Sequence, residues 1–172
     1  MIKDGKGGAK TLTGLKFESR VDLHKVIELI KGYSVKGNEV FFGDQKVAEI
    51  YRKHDLYKKL LAPNKIDHSA IISKKLLPDD AIFVLKSKTL FIIEIKFQEV
   101  AGSVDEKLQT CDFKNKQYTK LLTPLGIKVK YTYVLNDWFK KPEYKDVLDF
   151  VHSVGCYYFF NELPLEFLGL PQ

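Results

Sequence analysis

The clearest pattern of apolar and polar positions in the chain lies between residues 76 and 98. Two apolar runs, Ala81–Leu85 and Thr89–Phe97, are separated by a short polar turn over residues 86–88. Apolar runs joined in this way are typical of a β-hairpin. The second run is apolar almost without interruption until its end, which indicates a strand covered by other elements on both faces. We therefore predict that this hairpin is the central element of the fold.

Charged residues lie at the open end of this predicted hairpin, opposite its turn. Asp79 and Asp80 precede the first run, and Glu94 and Lys96 interrupt the second. Strand side chains alternate between faces, so Glu94, Lys96 and Gln98 are expected on one side. An exposed Glu-x-Lys pair is usually a solvated ion pair, but charges in a covered strand are costly unless paired or bound to metal. The pattern predicts two carboxylates beside a lysine, a metal site with an adjacent ammonium.

Periodic patterns on either side of the hairpin predict alternating helices and strands. Helices are expected over Leu15–Lys31, His54–Leu61, Val104–Leu122 and Glu143–Val154, and further strands over Glu39–Phe42, Lys46–Tyr51, Ile127–Leu135 and Cys156–Phe160. Ser103 and Glu106 have the spacing of a capping box at the start of the third helix. This order of elements predicts an α/β fold.

Length and composition limit the organisation of the chain. Its 172 residues, 45% hydrophobic and 29% charged, are typical of one globular domain over residues 1–172. Residues 1–14 are rich in Gly and Lys and are expected to form a flexible basic arm. The sequence lacks an apolar signal core and a run of about 18 apolar residues, so we expect a cytoplasmic protein without a membrane partner. Cys111 and Cys156 are isolated and lack the spacing of a zinc site.

The net charge of +6 permits a polyanionic partner without requiring one. Lysine supplies nearly all of this charge, since only Arg20 and Arg52 are arginines. Around the predicted short helix, basic residues alternate with Tyr51 and Tyr57. This combination suits contact with the DNA backbone, and it equally suits an ordinary amphipathic surface.

Pro78-Asp79, the following hairpin and then Glu94-Ile95-Lys96 resemble the signature of the PD-(D/E)XK nuclease superfamily. The order of the predicted elements is similar as well. The resemblance implies a restriction-endonuclease-like core, in which helices flank a central mixed β-sheet of four to five strands. A compact type II restriction endonuclease, which hydrolyses phosphodiester bonds of double-stranded DNA and leaves 5′-phosphates, is the expected function.

The resemblance also implies roles for the residues of the motif. Asp79 and Glu94, with the Ile95 carbonyl, are expected to hold Mg²⁺ through oxygen ligands. Lys96 is expected to orient or deprotonate the attacking water and to stabilise developing negative charge. A bulge of one residue would make Asp80 the ligand in place of Asp79, so both remain candidates.

Further candidates lie outside the hairpin. Proteins of this superfamily often carry a glutamate on the first helix, which makes Glu18 the fourth expected catalytic residue and Glu28 a weaker candidate; a helix N-terminus alone would also explain Glu18. Gln98 on the strand, and Lys107 and Gln109 on the following helix, are candidates for DNA contact, although solvent exposure alone explains the last two.

The expected partners follow from the same resemblance. Double-stranded DNA is the substrate, and a palindromic recognition site would imply a homodimer. A DNA methyltransferase acting on the same site is a possible companion enzyme. Two alternatives stay open: a junction-resolving or repair nuclease of the same superfamily, and a catalytically silent DNA-binding protein in which Asp79, Glu94 and Lys96 form a structural ion-pair cluster.

Overall fold

A computed structural model describes residues 14–18, 22–100 and 102–172 of the chain. The basic arm predicted over residues 1–14 therefore lies outside the described residues, apart from Gly14. The strands are β1 (Gly14–Lys16), β2 (Tyr33–Lys36), β3 (Glu39–Phe42), β4 (Gln45–Tyr51), β5 (Asp80–Val84), β6 (Thr89–Lys96), β7 (Lys128–Leu135), β8 (Tyr157–Phe160) and β9 (Glu162–Pro164).

The fold is an α/β structure around a mixed sheet of seven strands in the order β2-β3-β4-β5-β6-β7-β8. Strands β2 to β6 form an antiparallel meander, and β7 and β8 continue the sheet parallel to β6. The α/β class and the central hairpin β5–β6 are confirmed. The four to five strands implied by the resemblance are not confirmed, since the sheet contains the six strands that the patterns predict and also β2, an edge strand that pairs with β3.

Helices cover both faces of this sheet. They are α1 (Leu23–Glu28), α2 (Val104–Leu108), α3 (Cys111–Leu122), α4 (Lys145–Ser153) and α5 (Leu165–Leu168), with a π-helical turn over Leu56–Leu61 and 3₁₀ turns over His68–Ala70, Thr123–Leu125, Asp137–Lys140 and Pro142–Tyr144. Buried residues of α2, α3, α4 and the π-helical turn form one core on one face, and those of α1 and α5 form a second core on the other. Within the described part of the chain, no helix has the length and apolarity needed to cross a membrane.

The helix predicted over Leu15–Lys31 is wrong in its first half. Residues 14–16 form β1, which pairs antiparallel with β9 in a separate two-stranded sheet, and the Phe17 N–H donates to the Asn161 carbonyl at 2.8 Å. The helix begins only at Leu23. Pairing with β9 outweighs the local helical spacing, because the apolar residues Leu15 and Phe17 are buried without forming a helix.

The helix predicted over Val104–Leu122 is divided at Thr110. Its hydroxyl donates to the Lys107 carbonyl at 2.7 Å, and the buried Tyr133 hydroxyl donates to the Leu108 carbonyl at 3.2 Å. These side-chain bonds occupy carbonyls that a continuous helix would use, so α2 ends and α3 begins. The expected capping box is absent as well, since the Ser103 side chain makes no capping hydrogen bond within the described structure.

The contrast between buried and exposed side chains of α3 gives a test of how this helix packs. Leu121 is fully buried, whereas Phe113 on the same helix is 61% exposed. We expect Leu121→Ala to lower the free energy of unfolding by about 3 kcal/mol, and Phe113→Ala, the control, to change it by less than about 1 kcal/mol. Urea unfolding measures both values. Equal losses would contradict the described orientation of α3.

Candidate active site

The ladder between β5 and β6 ends before β6 does. Its last pair is Asp80 with Ile93, whereas β6 continues beside β7 as far as the pair of Lys96 with Leu135. Pro78 lacks the N–H that a further ladder bond would need. Residues 94–96 are therefore paired with β7 alone, and the chain before β5 separates from them at this edge of the sheet.

Three of the predicted side chains meet at this edge. The Lys96 ammonium lies 3.0 Å from Glu94 Oε2 and 3.3 Å from Asp79 Oδ2. Glu94 is only 5% exposed, and the Lys114 ammonium approaches the same Oε2 at 3.9 Å. Two carboxylates thus surround one ammonium, and α3 contributes a second cation.

The electrostatics of this cluster keep Lys96 charged. Burial by itself would lower the pKa of the Lys96 amine, but attraction and hydrogen bonding from Glu94, and then from Asp79, outweigh it and raise that pKa above its ordinary value. Lys96 is consequently an ammonium at neutral pH. It donates hydrogen bonds to both carboxylates.

Asp79 and Asp80 lie on opposite faces of the sheet. Asp80 shares a face with Ile82, which belongs to the core under α1, whereas Ala81 faces the core under α3. Asp79 instead reaches Lys96, on the α3 face. The sequence left both Asp79 and Asp80 as candidates for the cluster. Of these two aspartates, Asp79 is the one beside Lys96 and Glu94.

Asp80 occupies an unusual position for a carboxyl group. It is 3% exposed, and its Oδ1 has no hydrogen-bond partner among the described residues. Burial raises the pKa of Asp80 to about 7; the Arg52 charge opposes this, and repulsion from Asp22 and Asp79 adds to it. Asp80 therefore carries a proton over part of the physiological pH range.

Asp22 is a charged residue near this region that the sequence analysis missed. It caps α1: its Oδ1 accepts from the His24 N–H at 3.1 Å, and its Oδ2 accepts from Arg52 at 3.2 Å. Burial alone would raise the pKa of Asp22, but the hydrogen bonds from His24 and the charges of His24 and Arg52 lower it. An aspartate directly before the apolar spacing of a helix is a capping signal, and this pattern would have located the true start of α1.

Glu18 does not occupy the predicted position on a helix. It follows β1, is exposed, and has no contact with the cluster within the described structure. Glu28 is the last residue of α1 and is exposed too. The helical position expected for Glu18 was wrong, because β1 occupies the segment before it.

Gln98 is buried and has a structural contact. Its main-chain N–H donates to Asn136 Oδ1 at 3.2 Å, and Asn136 Nδ2 donates back to the Gln98 carbonyl at 2.7 Å. The Gln98 side chain donates to the Val100 carbonyl at 2.6 Å. Gln98 thus connects the loops that follow β6 and β7, and the strand alternation predicted for it stops at Lys96.

The two other candidates for DNA contact differ in their surroundings. Lys107, in the last turn of α2, is exposed. Gln109 is also exposed and lines a shallow cavity of about 380 Å³ together with Glu143 and Asp146. Two carboxylates make that cavity unfavourable for a phosphate group.

Lys114 and Tyr118 are further neighbours of Glu94 that the sequence analysis did not select. They lie four residues apart on α3, so both are on one face of that helix. Tyr118 is buried; burial, and then repulsion from Glu94, raise its pKa well above the ordinary value for a tyrosine. The spacing of a lysine and a tyrosine on the helix after the Glu-x-Lys strand was the available signal.

The donor atoms of the cluster fit a hard cation such as Mg²⁺. Contacts of Glu94 and Asp79 with described residues use only Oε2 and Oδ2, respectively, which leaves a second oxygen on each carboxylate. The Ile95 carbonyl is the third expected donor. Groups of three or more His, Cys, Asp or Glu arranged for a metal are not found in the described part of the chain, so a metal here would retain several waters.

Comparison with known proteins finds no matching family model, no similar curated protein and no similar solved structure. The geometry of the cluster and the chemistry of its side chains are therefore the basis for a function.

Asp80 gives a pH-dependent test of this environment, measured without divalent cations. Its pKa of about 7 in the folded state exceeds the unfolded value of 3.8, so the folded protein binds more protons between these values. The free energy of unfolding is then expected to fall by roughly 3 to 4 kcal/mol as the pH rises from about 4 to about 8.

Asp80→Asn should remove most of this loss, so that the variant is more stable than the wild type at pH 8, as measured by urea unfolding. Asp44→Asn, an exposed control, should keep the wild-type profile. A profile of Asp80→Asn parallel to that of the wild type would contradict the assigned burial of this carboxyl.

Proposed function

We propose that the protein is a Mg²⁺-dependent endonuclease that hydrolyses phosphodiester bonds of double-stranded DNA. The observation that carries the proposal is the contact of the Lys96 ammonium with both Glu94 and Asp79, at the point where β6 extends past β5. The resemblance of these residues to the PD-(D/E)XK motif supports a nuclease of that superfamily, most similar to a small type II restriction endonuclease.

The proposed reaction forms a bond from water oxygen to phosphorus while the bond to the 3′ oxygen breaks, leaving a 5′-phosphate and a 3′-hydroxyl. The chemistry that Mg²⁺ supplies when bound is a lower pKa of coordinated water and compensation of phosphate charge. Asp79, Glu94 and the Ile95 carbonyl are the groups that would hold it, through hard oxygen donors.

Lys96 acts in this proposal mainly through its charge. Because its pKa is raised, the side chain is a hydrogen-bond donor at neutral pH and is poorly suited to accept a proton from water. It would orient the attacking water and stabilise the negative charge that develops on the phosphoryl oxygens. Of the two roles expected for Lys96, orientation with charge stabilisation is the better supported.

Lys114 would assist from the side of α3. Its ammonium is 3.9 Å from Glu94 Oε2, a distance that holds the carboxylate by charge without a close hydrogen bond. A phosphate group entering the cluster would meet two ammonium groups, those of Lys96 and Lys114. The two carboxylates offset these two charges, so Mg²⁺ would supply the positive charge that compensates the phosphate.

Sequence-specific recognition, a homodimer on a palindromic site, a companion DNA methyltransferase and a cytoplasmic location belong to the same proposal. The net charge of +6 favours a polyanionic substrate. A junction-resolving or repair nuclease would use the same cluster, and preference for branched DNA over plasmid DNA would distinguish it.

A catalytically silent protein is the second candidate, because each carboxylate of the cluster already contacts an ammonium. Such a structural ion-pair cluster needs no metal. Isothermal calorimetry separates the two candidates: the nuclease binds Mg²⁺ at the cluster, and the silent protein does not.

The first test of the nuclease removes charges of the cluster. Lys96→Ala and Glu94→Gln should keep DNA binding but reduce Mg²⁺-dependent cleavage of plasmid DNA by at least about 100- to 1000-fold, the usual cost of losing a group that stabilises the transition state. Lys120→Ala, on the exposed side of α3, is the control and should cleave at the wild-type rate. Full activity of either cluster variant would disprove the assigned site.

The second test separates the two adjacent aspartates. Asp79→Asn should abolish Mg²⁺ binding in calorimetry together with cleavage, because it removes an oxygen ligand beside Lys96. Asp80→Asn should retain both, since that carboxyl faces the other core. The opposite pattern, with loss only in the Asp80 variant, would show that Asp80 is the ligand.

A further inference from the structure

One segment between β4 and β5 contains many more basic than acidic residues. Residues 52–75, hereafter the basic segment, contain seven lysines or arginines and two aspartates, a net charge of +5 compared with +6 for the whole chain. Two of the four histidines, His54 and His68, lie in the same segment. This segment thus contributes most of the net positive charge of the chain.

Both ends of the basic segment lie at the edge of the sheet that carries the candidate active site. The segment begins directly after Tyr51, which pairs with Ala81 at the start of β5. The Lys53 N–H donates to the Pro78 carbonyl at 3.0 Å, next to Asp79. A ligand bound along this segment would therefore extend from the Asp79–Glu94–Lys96 cluster.

The basic segment is packed against the protein and forms a fixed surface. Four side chains of its π-helical turn, Leu56–Leu61, are buried in the core on the α3 face. The Tyr57 hydroxyl donates to the Leu76 carbonyl at 2.8 Å and accepts from the Leu76 N–H at 3.0 Å, and the Tyr57 ring contacts His68 edge-on. These contacts join Tyr57, early in the segment, to His68 in its later part and to Leu76, which follows the segment.

Most of its basic side chains have no carboxylate partner among the described residues. Arg52 is paired with Asp22, Lys59 with Asp55, and Lys75 lies over the Tyr57 ring. By contrast, Lys53, Lys58, Lys65 and Lys74 are exposed, and no ion pair within the described structure includes them. Uncompensated ammonium groups on a fixed surface suit phosphate oxygens, which they bind as point charges.

We propose that the basic segment docks the phosphate backbone of double-stranded DNA beside the bond to be cleaved. This inference rests on the proposed function, because it takes the cluster at Asp79 as the place of cleavage. Lys58, Lys65 and Lys74 make contacts that carry no base information, so they contribute affinity and position for any sequence. Base recognition belongs to other residues.

The test compares two triple variants with equal loss of charge. Lys58→Gln, Lys65→Gln and Lys74→Gln are combined in the first. The control combines Lys86→Gln, Lys88→Gln and Lys128→Gln, three exposed lysines at the opposite end of β5, β6 and β7. Each set contains one lysine with a positive φ, Lys65 at 58° and Lys88 at 48°, so backbone strain is matched as well.

Binding to a 30-base-pair duplex is measured in EDTA over a series of salt concentrations. Three lost phosphate contacts should reduce the slope of log K against log salt by about 3 and weaken binding on the order of 100-fold at 0.1 M salt. The control variant should bind like the wild type. Unfolding in urea checks that both variants are folded.

Each other outcome overturns the proposal in a recognisable way. If both triple variants lose the same affinity, net charge alone attracts DNA and the basic segment has no special role. If the first variant binds like the wild type while the wild type cleaves DNA with Mg²⁺, the docking surface is wrong and the proposed function stands. A wild type that neither binds nor cleaves DNA refutes both, and tighter binding to duplex RNA would assign the surface to another nucleic acid.

Discussion

The candidate active site depends on the balance between one ammonium and two carboxylates at the end of a buried strand. Glu94 is 5% exposed, and a buried carboxylate without a partner would be strongly destabilising. Lys96, two residues later on the same strand face, and Lys114 on α3 supply the compensating charge. The path of β6 and the packing of α3 over its end are therefore linked, because the negative charge of buried Glu94 would be destabilising without the positive charges of Lys96 and Lys114.

The end of the β5–β6 ladder creates two different environments for adjacent residues. Asp79 is partly exposed and contacts Lys96, while Asp80 is buried on the other face with a pKa raised to about 7. Strand alternation directs them apart, and the pairing ends between them, because Asp80 is the last residue of the ladder. One short stretch thus gives one carboxyl group to the cluster and another, with a raised pKa, to the opposite core.

The distribution of functions over the fold follows from its construction. The sheet and its two cores fix the position of the cluster, and the connections carry the groups that would meet a ligand, as is common for binding sites on rigid scaffolds. The basic segment shows this arrangement: its apolar side chains join the core under α3, and its lysines remain outside. A polyanion would be attracted to the same edge of the sheet at which the carboxylates hold Lys96.

The sequence by itself determined the central hairpin, the α/β class and the shared face of Glu94 and Lys96, because strand alternation is a local property of the backbone. It did not determine which aspartate joins them, since a shift of one residue exchanges the faces. The capping signal of Asp22, which marks the start of α1 at Leu23, was present in the sequence and was missed. The strand at residues 14–16 is different, because it depends on the pairing of β1 with β9, between segments far apart in the chain. Only the tertiary structure decides which distant segment a short apolar stretch will meet.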